Sequence, residues 1–149
     1  MANKIYFDMD GTIADFYGVE GWLEYLQNSD TTPYKLAKPL LNFSLFARLL
    51  NKVQKEGYEI GIISWTSKCG DAEFNERIAE VKKDWLHKHL PSVQWNEINI
   101  VRYGYAKQQF ASEEGFDILF DDETPNRDNW FGEAKTPNEI LETLKSLVA

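Results

Sequence analysis

The sequence predicts an α/β domain: a three-layer, Rossmann-like open parallel sheet with a small helical insertion after the first strand. Three observations carry this expectation. Short apolar runs rich in β-branched and aromatic residues alternate with stretches of helical periodicity. Helical connections between successive strands make those strands parallel. Finally, polar or acidic residues follow the apolar runs at Asp8, Ser64 and Asp121, and ligands bind at the carboxyl ends of strands in such sheets.

The first strand is Ile5-Tyr6-Phe7, leading into Asp8-Met9-Asp10-Gly11-Thr12. In an extended chain residues i and i+2 share a side, so Asp8 and Asp10 converge, and Gly11 lets the chain turn. Two carboxylates so close require a cation or a shared proton, and hard oxygen ligands suit Mg²⁺. The competing reading of D-x-D-G is a solvated turn. Residues 15–38 read as a helical flap over the strand end. Val19, Trp22, Leu23 and Leu26 share a helical face, and Asn28 to Pro33 breaks the helix. Its aromatic residues, Phe16, Tyr17, Trp22, Tyr25 and Tyr34, fit a satellite core or a stacking surface for substrate.

Pro39 is expected to open the next helix, with Leu41, Leu45, Leu49 and Val53 on one face and Gly57 as the stop. The second strand, Tyr58 to Ile63, runs into Ser64-Trp65-Thr66-Ser67. Being parallel to the first, it brings Ser64 to the same sheet edge as Asp8. Asp71 caps a long helix whose stripe is Phe74, Ile78, Val81 and Trp85. His87 and His89, two residues apart near its end, fall on different faces and make a poor joint metal site. Asn96 to Val101 alternates as a third strand. A short helix over 105–113 carries Lys107, and Phe116 to Phe120 forms a fourth strand ending in Asp121-Asp122-Glu123. Three acids in a row call for a metal or a basic partner. A weak strand is expected over Glu133 to Lys135. The last helix carries a capping box, with Thr136 as N-cap, Pro137 first inside and Glu139 reaching back.

The 149 residues make one domain, 1–149, with 43% hydrophobic and 14% aromatic content, which excludes disorder. No apolar run approaches the ~18 residues of a membrane span, and no export signal precedes the first strand. Cys69 is the sole cysteine, so no intrachain disulfide forms and a cytoplasmic location is expected. Cys69 has no acid or histidine at motif spacing, which argues against a nucleophilic role. A net charge of −8 opposes stable nucleic-acid binding. The sequence carries no signal for an oligomeric state.

The order D-x-D-G-T, a Ser after a hydrophobic strand, a Lys, then a hydrophobic strand ending Asp-Asp resembles the haloacid dehalogenase superfamily over residues 4 to about 126. The resemblance implies a Mg²⁺-dependent phosphatase. It makes Asp8 the nucleophile, Asp10 the general acid and base, and Ser64 and Lys107 the phosphoryl ligands. The metal site is then Asp8, Asp10, Asp121 and Asp122, with Asp122 favoured over Asp121 as the direct ligand. Thr66 or Ser67 is the alternative to Ser64. Backbone N–H groups of Met9 to Gly11 and of Trp65 meet the charge that spreads over the phosphoryl group. The short insertion implies an open site with at most a helical roof, similar to deoxyribonucleotidase-like members and also to polynucleotide 3′-phosphatase domains. The implied partner is a small phosphorylated molecule, with a nucleotide as leading candidate. A non-catalytic binding module on the same fold is the rival, although a binder does not need Asp10. A receiver domain, the other rival, needs an acid after the third strand, where this chain has Arg102 and Tyr103.

Overall fold

Four parallel pairings build the sheet. Strand β1 (Lys4–Phe7) leads into a tight turn and then β2 (Ala14–Asp15). Helices α1 (Trp22–Gln27) and α2 (Thr32–Leu36) follow, and β3 (Lys38–Pro39) returns antiparallel to β2. Helix α3 (Phe43–Lys55) leads to β4 (Glu59–Trp65), and α4 (Ala72–His89) to β5 (Glu97–Val101). After a 3-10 turn at Lys107–Phe110 come β6 (Ile118–Phe120), α5 (Thr124–Asn129), β7 (Glu133–Lys135) and α6 (Ile140–Leu147). The computed structural model describes residues 3–149; residues 1 and 2, included in the single-domain expectation, lie outside the described residues.

The sheet order is β5-β4-β1-β6-β7, with every neighbouring pair parallel. Strand β1 is therefore central, flanked by β4 and β6, and the ends of all three strands open on one edge. Ile5 and Phe7 of β1, with Ile60, Ile62, Ile118 and Phe120, pack against Phe46, Leu50 and Val53 of α3, Leu86 of α4 and Leu144 of α6. The alternate residues Tyr6, Ile63 and Leu119 face a thinner cover made of Trp130, Phe110 and Ala111. The expected helix over 105–113 contracts to the 3-10 turn. That second layer is correspondingly slight.

Two boundaries differ from expectation for identifiable reasons. Pro39 does not open α3: it pairs with Ala14, and Leu40 N–H donates to the Ile13 carbonyl at 3.0 Å. These contacts close a neck at the base of residues 15–38, and α3 begins only after it, capped by Asn42 accepting from Leu45 N–H at 3.1 Å. Strand β4 runs through Trp65 because it pairs with β5 as far as Val101, two residues beyond the apolar run. Elsewhere the caps fall where the sequence puts them: Asp71 accepts from Phe74 N–H at 2.8 Å, and the Thr136/Glu139 box forms. Residues 15–38 dock through Phe16 and Tyr34 on Phe74 and Ile78 of α4. Among the described residues no helix is long and apolar enough to cross a membrane.

Candidate active site

The acidic turn is held in place by its own backbone. The Met9 carbonyl accepts from the N–H groups of Thr12, Ile13 and Ala14, while Gly11 N–H donates to the Ala14 carbonyl. Gly11 has φ +79, and a Cβ there would lie 2.4 Å from Asp122 Oδ2. Only glycine allows this turn and lets Asp122 approach it. Gly11 N–H is thereby taken; among the described residues, Met9 and Asp10 keep N–H groups with no protein acceptor. Asp8 N–H donates to the Phe120 carbonyl at 2.9 Å, which sets Asp8 beside Asp121.

Lys107 joins the two motifs. Its side chain is 2% exposed, and Nζ donates to Asp8 Oδ1 at 2.9 Å and to Asp121 Oδ2 at 2.7 Å. Thr12 donates to Asp8 Oδ2 at 3.0 Å. Asp121 is saturated, accepting also from Glu123 N–H at 2.9 Å and Asn126 Nδ2 at 3.2 Å. Asp122 is left more open, with Thr12 Oγ1 at 3.3 Å from its Oδ1.

The structure adds Lys82, which the sequence reading missed. It sits on α4, 1% exposed, and donates to Asp10 Oδ2 at 2.9 Å, Ser64 Oγ at 2.7 Å and the Trp65 carbonyl at 2.8 Å. A signal was present. Stepping by fours from Phe74 through Ile78 gives Lys82, not Val81, as the next residue of the buried stripe.

Lys82 also alters the place of Ser64. Because β4 continues through Trp65, Ser64 stays inside the strand beneath α4, fully buried, with its hydroxyl turned to Lys82. It does not line the cavity, whereas Thr66, the first residue past the strand, does, with a buried Oγ1 that has no hydrogen-bond partner among the described residues. The Trp65 indole N–H donates to the Tyr105 carbonyl at 2.9 Å, and its ring lies 5.2 Å from Lys107 Nζ.

Burial and charge set the protonation of the group. Burial opposes ionisation of Asp8, but Lys107, hydrogen bonds from Asp122 and Lys107, and the more distant Lys82 outweigh it and hold the carboxyl below its ordinary value. Asp10 is pushed up, by burial first and then by the charge of Asp8, against the pull of Lys82. Asp121 rises to about 6 and Asp122 to about 8, each through burial and then the charge of Asp8. Lys107 rises despite burial, because Asp8 and Asp121 both favour its charge.

One carboxylate oxygen from each of Asp8, Asp121 and Asp122 lies within 4.8 Å of the other two. Four carboxyl groups, counting Asp10, face the two ammonium groups of Lys82 and Lys107, so acids outnumber cations in the cluster. The all-oxygen donor set and the raised Asp122 both fit Mg²⁺. The Asp10 carboxylate, expected as a ligand, lies outside the triangle because Lys82 binds it.

A cavity of about 410 Å³ adjoins these groups, lined by Tyr17, Trp22 and Tyr34 of residues 15–38 and by Trp65 and Tyr103. Asp8, Asp10, Lys107 and Asp122 lie in its lining.

No protein-family model matches the chain, and no curated protein matches its sequence. Solved structures do. The D,D-heptose 1,7-bisphosphate phosphatase of Burkholderia thailandensis is 11% identical with a TM-score of 0.58, over 99% of this chain and 99% of that one. The HAD domain of the effector protein Lem4 of Legionella pneumophila is 15% identical with a TM-score of 0.44, over 99% and 94% of the two chains. At such identity the likeness to the phosphatase is one of fold: this chain has the haloacid dehalogenase-like α/β fold.

Proposed function

We propose that this chain is a Mg²⁺-dependent phosphatase that hydrolyses a phosphomonoester through an aspartyl-phosphate on Asp8, with a nucleotide as its substrate. The observation that carries the reading is the buried Lys107 clamp between Asp8 and Asp121, set at the floor of an aromatic cavity beside the free Thr66 hydroxyl.

Asp8 is held ionised, as a nucleophile must be. Asp8 and Asp122, steadied by Asp121, would hold Mg²⁺, which when bound offsets the repulsion between the carboxylate and a phosphate dianion. Lys107, Thr66 Oγ1 and the N–H groups of Met9 and Asp10 meet the phosphoryl oxygens where charge spreads in the transition state. We assign the hydroxyl role to Thr66 instead of Ser64, because the Ser64 oxygen is already engaged by Lys82. Asp10, whose carboxyl is raised, gives its proton to the leaving oxygen and then takes one from the water that cleaves the aspartyl-phosphate.

The aromatic lining, Tyr17, Trp22, Trp65 and Tyr103, favours a leaving group with a flat ring that can stack on it. The relative of similar fold is named for a bisphosphate. Here Lys68 is the one cation besides Lys107 in the cavity lining among the described residues, which supports a single phosphate. Residues 15–38 then act as a partial roof. An exposed, unpaired Cys69 accords with a reducing cytoplasm.

The test is turnover of an aryl phosphate with Mg²⁺, its loss on chelation, and its absence in Asp8→Asn with the thermal midpoint retained. Wild-type-like turnover by that variant rules out Asp8 as nucleophile. A panel then follows, in which nucleoside monophosphates are expected to exceed sugar phosphates and 3′-phosphorylated oligonucleotides in kcat/KM. Preference for the oligonucleotides would assign the site to a polynucleotide 3′-phosphatase.

A further inference from the structure

We propose that Lys82 is a positioning residue that holds Asp10 in the orientation for proton transfer to the leaving group. The inference rests on the phosphatase reading above and deepens it.

An ammonium group has three N–H donors and no acceptor. Lys82 uses all three: on Asp10 Oδ2 at 2.9 Å, Ser64 Oγ at 2.7 Å and the Trp65 carbonyl at 2.8 Å. Two of these partners belong to β4, so α4 and the strand fix the ammonium before it meets Asp10. The Tyr34 ring, 5.1 Å from Nζ, covers it from the flap region. A buried, fully bonded cation is a firm anchor, since moving it would strand its charge. Because Lys82 binds Oδ2, Oδ1 is left, among the described residues, with no side-chain donor and is the oxygen available to the substrate. Asp10 itself lines the cavity and Lys82 does not. Lys82 therefore touches no reacting atom and acts through Asp10.

The step it serves balances as follows. An Asp8 carboxylate oxygen forms a bond to phosphorus as the bond from phosphorus to the leaving oxygen breaks. That oxygen keeps the bonding pair and takes the Asp10 proton. Asp10 is left as a carboxylate facing the Lys82 ammonium.

A leaving group that is a weak base needs no proton, whereas an alkoxide does. The experiment compares kcat/KM for p-nitrophenyl phosphate and for a primary alkyl phosphate, in wild type and in Lys82→Met, with Mg²⁺ present. The ratio kcat/KM reports the first irreversible step, which is leaving-group departure. Loss of general-acid catalysis removes about 10²-fold or more, so the alkyl ester is expected to lose that factor while the aryl ester loses far less. In an Asp10→Asn background, adding Lys82→Met is expected to cost nothing further on the alkyl ester. Equal losses on the two esters would mark Lys82 as a purely structural residue and overturn the proposal. Should Lys82→Met fail to fold, Lys82→Arg keeps the charge but moves the donors, and the same comparison decides. Wild-type protein inert toward both esters would sink the phosphatase reading and this proposal together; an active wild type with equal losses sinks this proposal alone.

Discussion

Ser64 and Thr66 lie two residues apart on one strand end and face opposite demands. Ser64 Oγ is bonded inside the protein, and Thr66 Oγ1 is buried with no partner among the described residues. A buried polar atom without a partner costs about 1–3 kcal/mol, and that cost persists where a ligand supplies the partner. Thr66→Val is therefore expected to leave the thermal midpoint unchanged or raised, while kcat/KM for an aryl phosphate falls about ten-fold or more. Ser64→Ala is expected to do the reverse in stability, since Lys82 loses one of three acceptors at a cost of about 1–3 kcal/mol. Thermal melts and initial rates on the two variants check both halves. A midpoint lowered more in Thr66→Val than in Ser64→Ala would contradict the assignment. The carboxylates Asp8, Asp10, Asp121 and Asp122 and the cation Lys107 stood out in the sequence because each abuts a recognisable strand or motif. Lys82 did not, because a lysine on a helix ordinarily extends its charge to water.

At the level of elements, Gly61 shows how a missing side chain joins three strands. Tyr6 of β1, Gly61 of β4 and Glu97 of β5 lie in register across the sheet. A Cβ on Gly61 would come within 2.8 Å of the Tyr6 ring. With none there, the Tyr6 hydroxyl reaches over β4 to Glu97 at 3.1 Å, and Lys4 Nζ meets the same carboxylate at 2.8 Å. Partial burial opposes ionisation of Glu97, but Lys4, Asn99 and Tyr6 hold it below the ordinary glutamate value of 4.5. A carboxyl lowered by folding contributes stability that is fully present above its unfolded value and is lost as pH falls through the folded one. Glu97→Gln is expected to lower the midpoint at pH 7 and to narrow the difference between pH 7 and pH 3. Melts at the two pH values test this; an unchanged difference would remove the bridge from the account of the sheet edge. The Thr136/Glu139 box and the Asp71 cap were readable because capping is local. Pro39 was misread because its role is set by Ala14, distant in the chain.

For the whole molecule, the net charge of −8 repels a phosphate dianion. Screening shortens such repulsion to about 10 Å at 0.1 M salt. With Mg²⁺ saturating, kcat/KM for a phosphomonoester is expected to rise modestly from low to physiological ionic strength, the opposite of an enzyme that steers its substrate by surface charge. Rates across a salt series at fixed free Mg²⁺ measure it, and a steep fall would point to an attractive field. Residues 15–38 border the cavity, tied at the β2–β3 neck and docked on α4 through Phe16 and Tyr34. Phe16 and Tyr34 of this region belong to the satellite core and also line the cavity.

The sequence by itself determined the parallel sheet and the sheet edge at which five charged groups, Asp8, Asp10, Lys107, Asp121 and Asp122, gather. Those features follow from periodicity, turn chemistry and the short reach between a strand end and the residue after it. Tertiary structure alone decided which hydroxyl stays free, which lysine grips Asp10, and that the Asp10 carboxylate lies apart from the other acids. Each of these depends on how far β4 pairs along β5 and on which side of α4 meets it. Such distances are set by packing between segments, which no local pattern encodes.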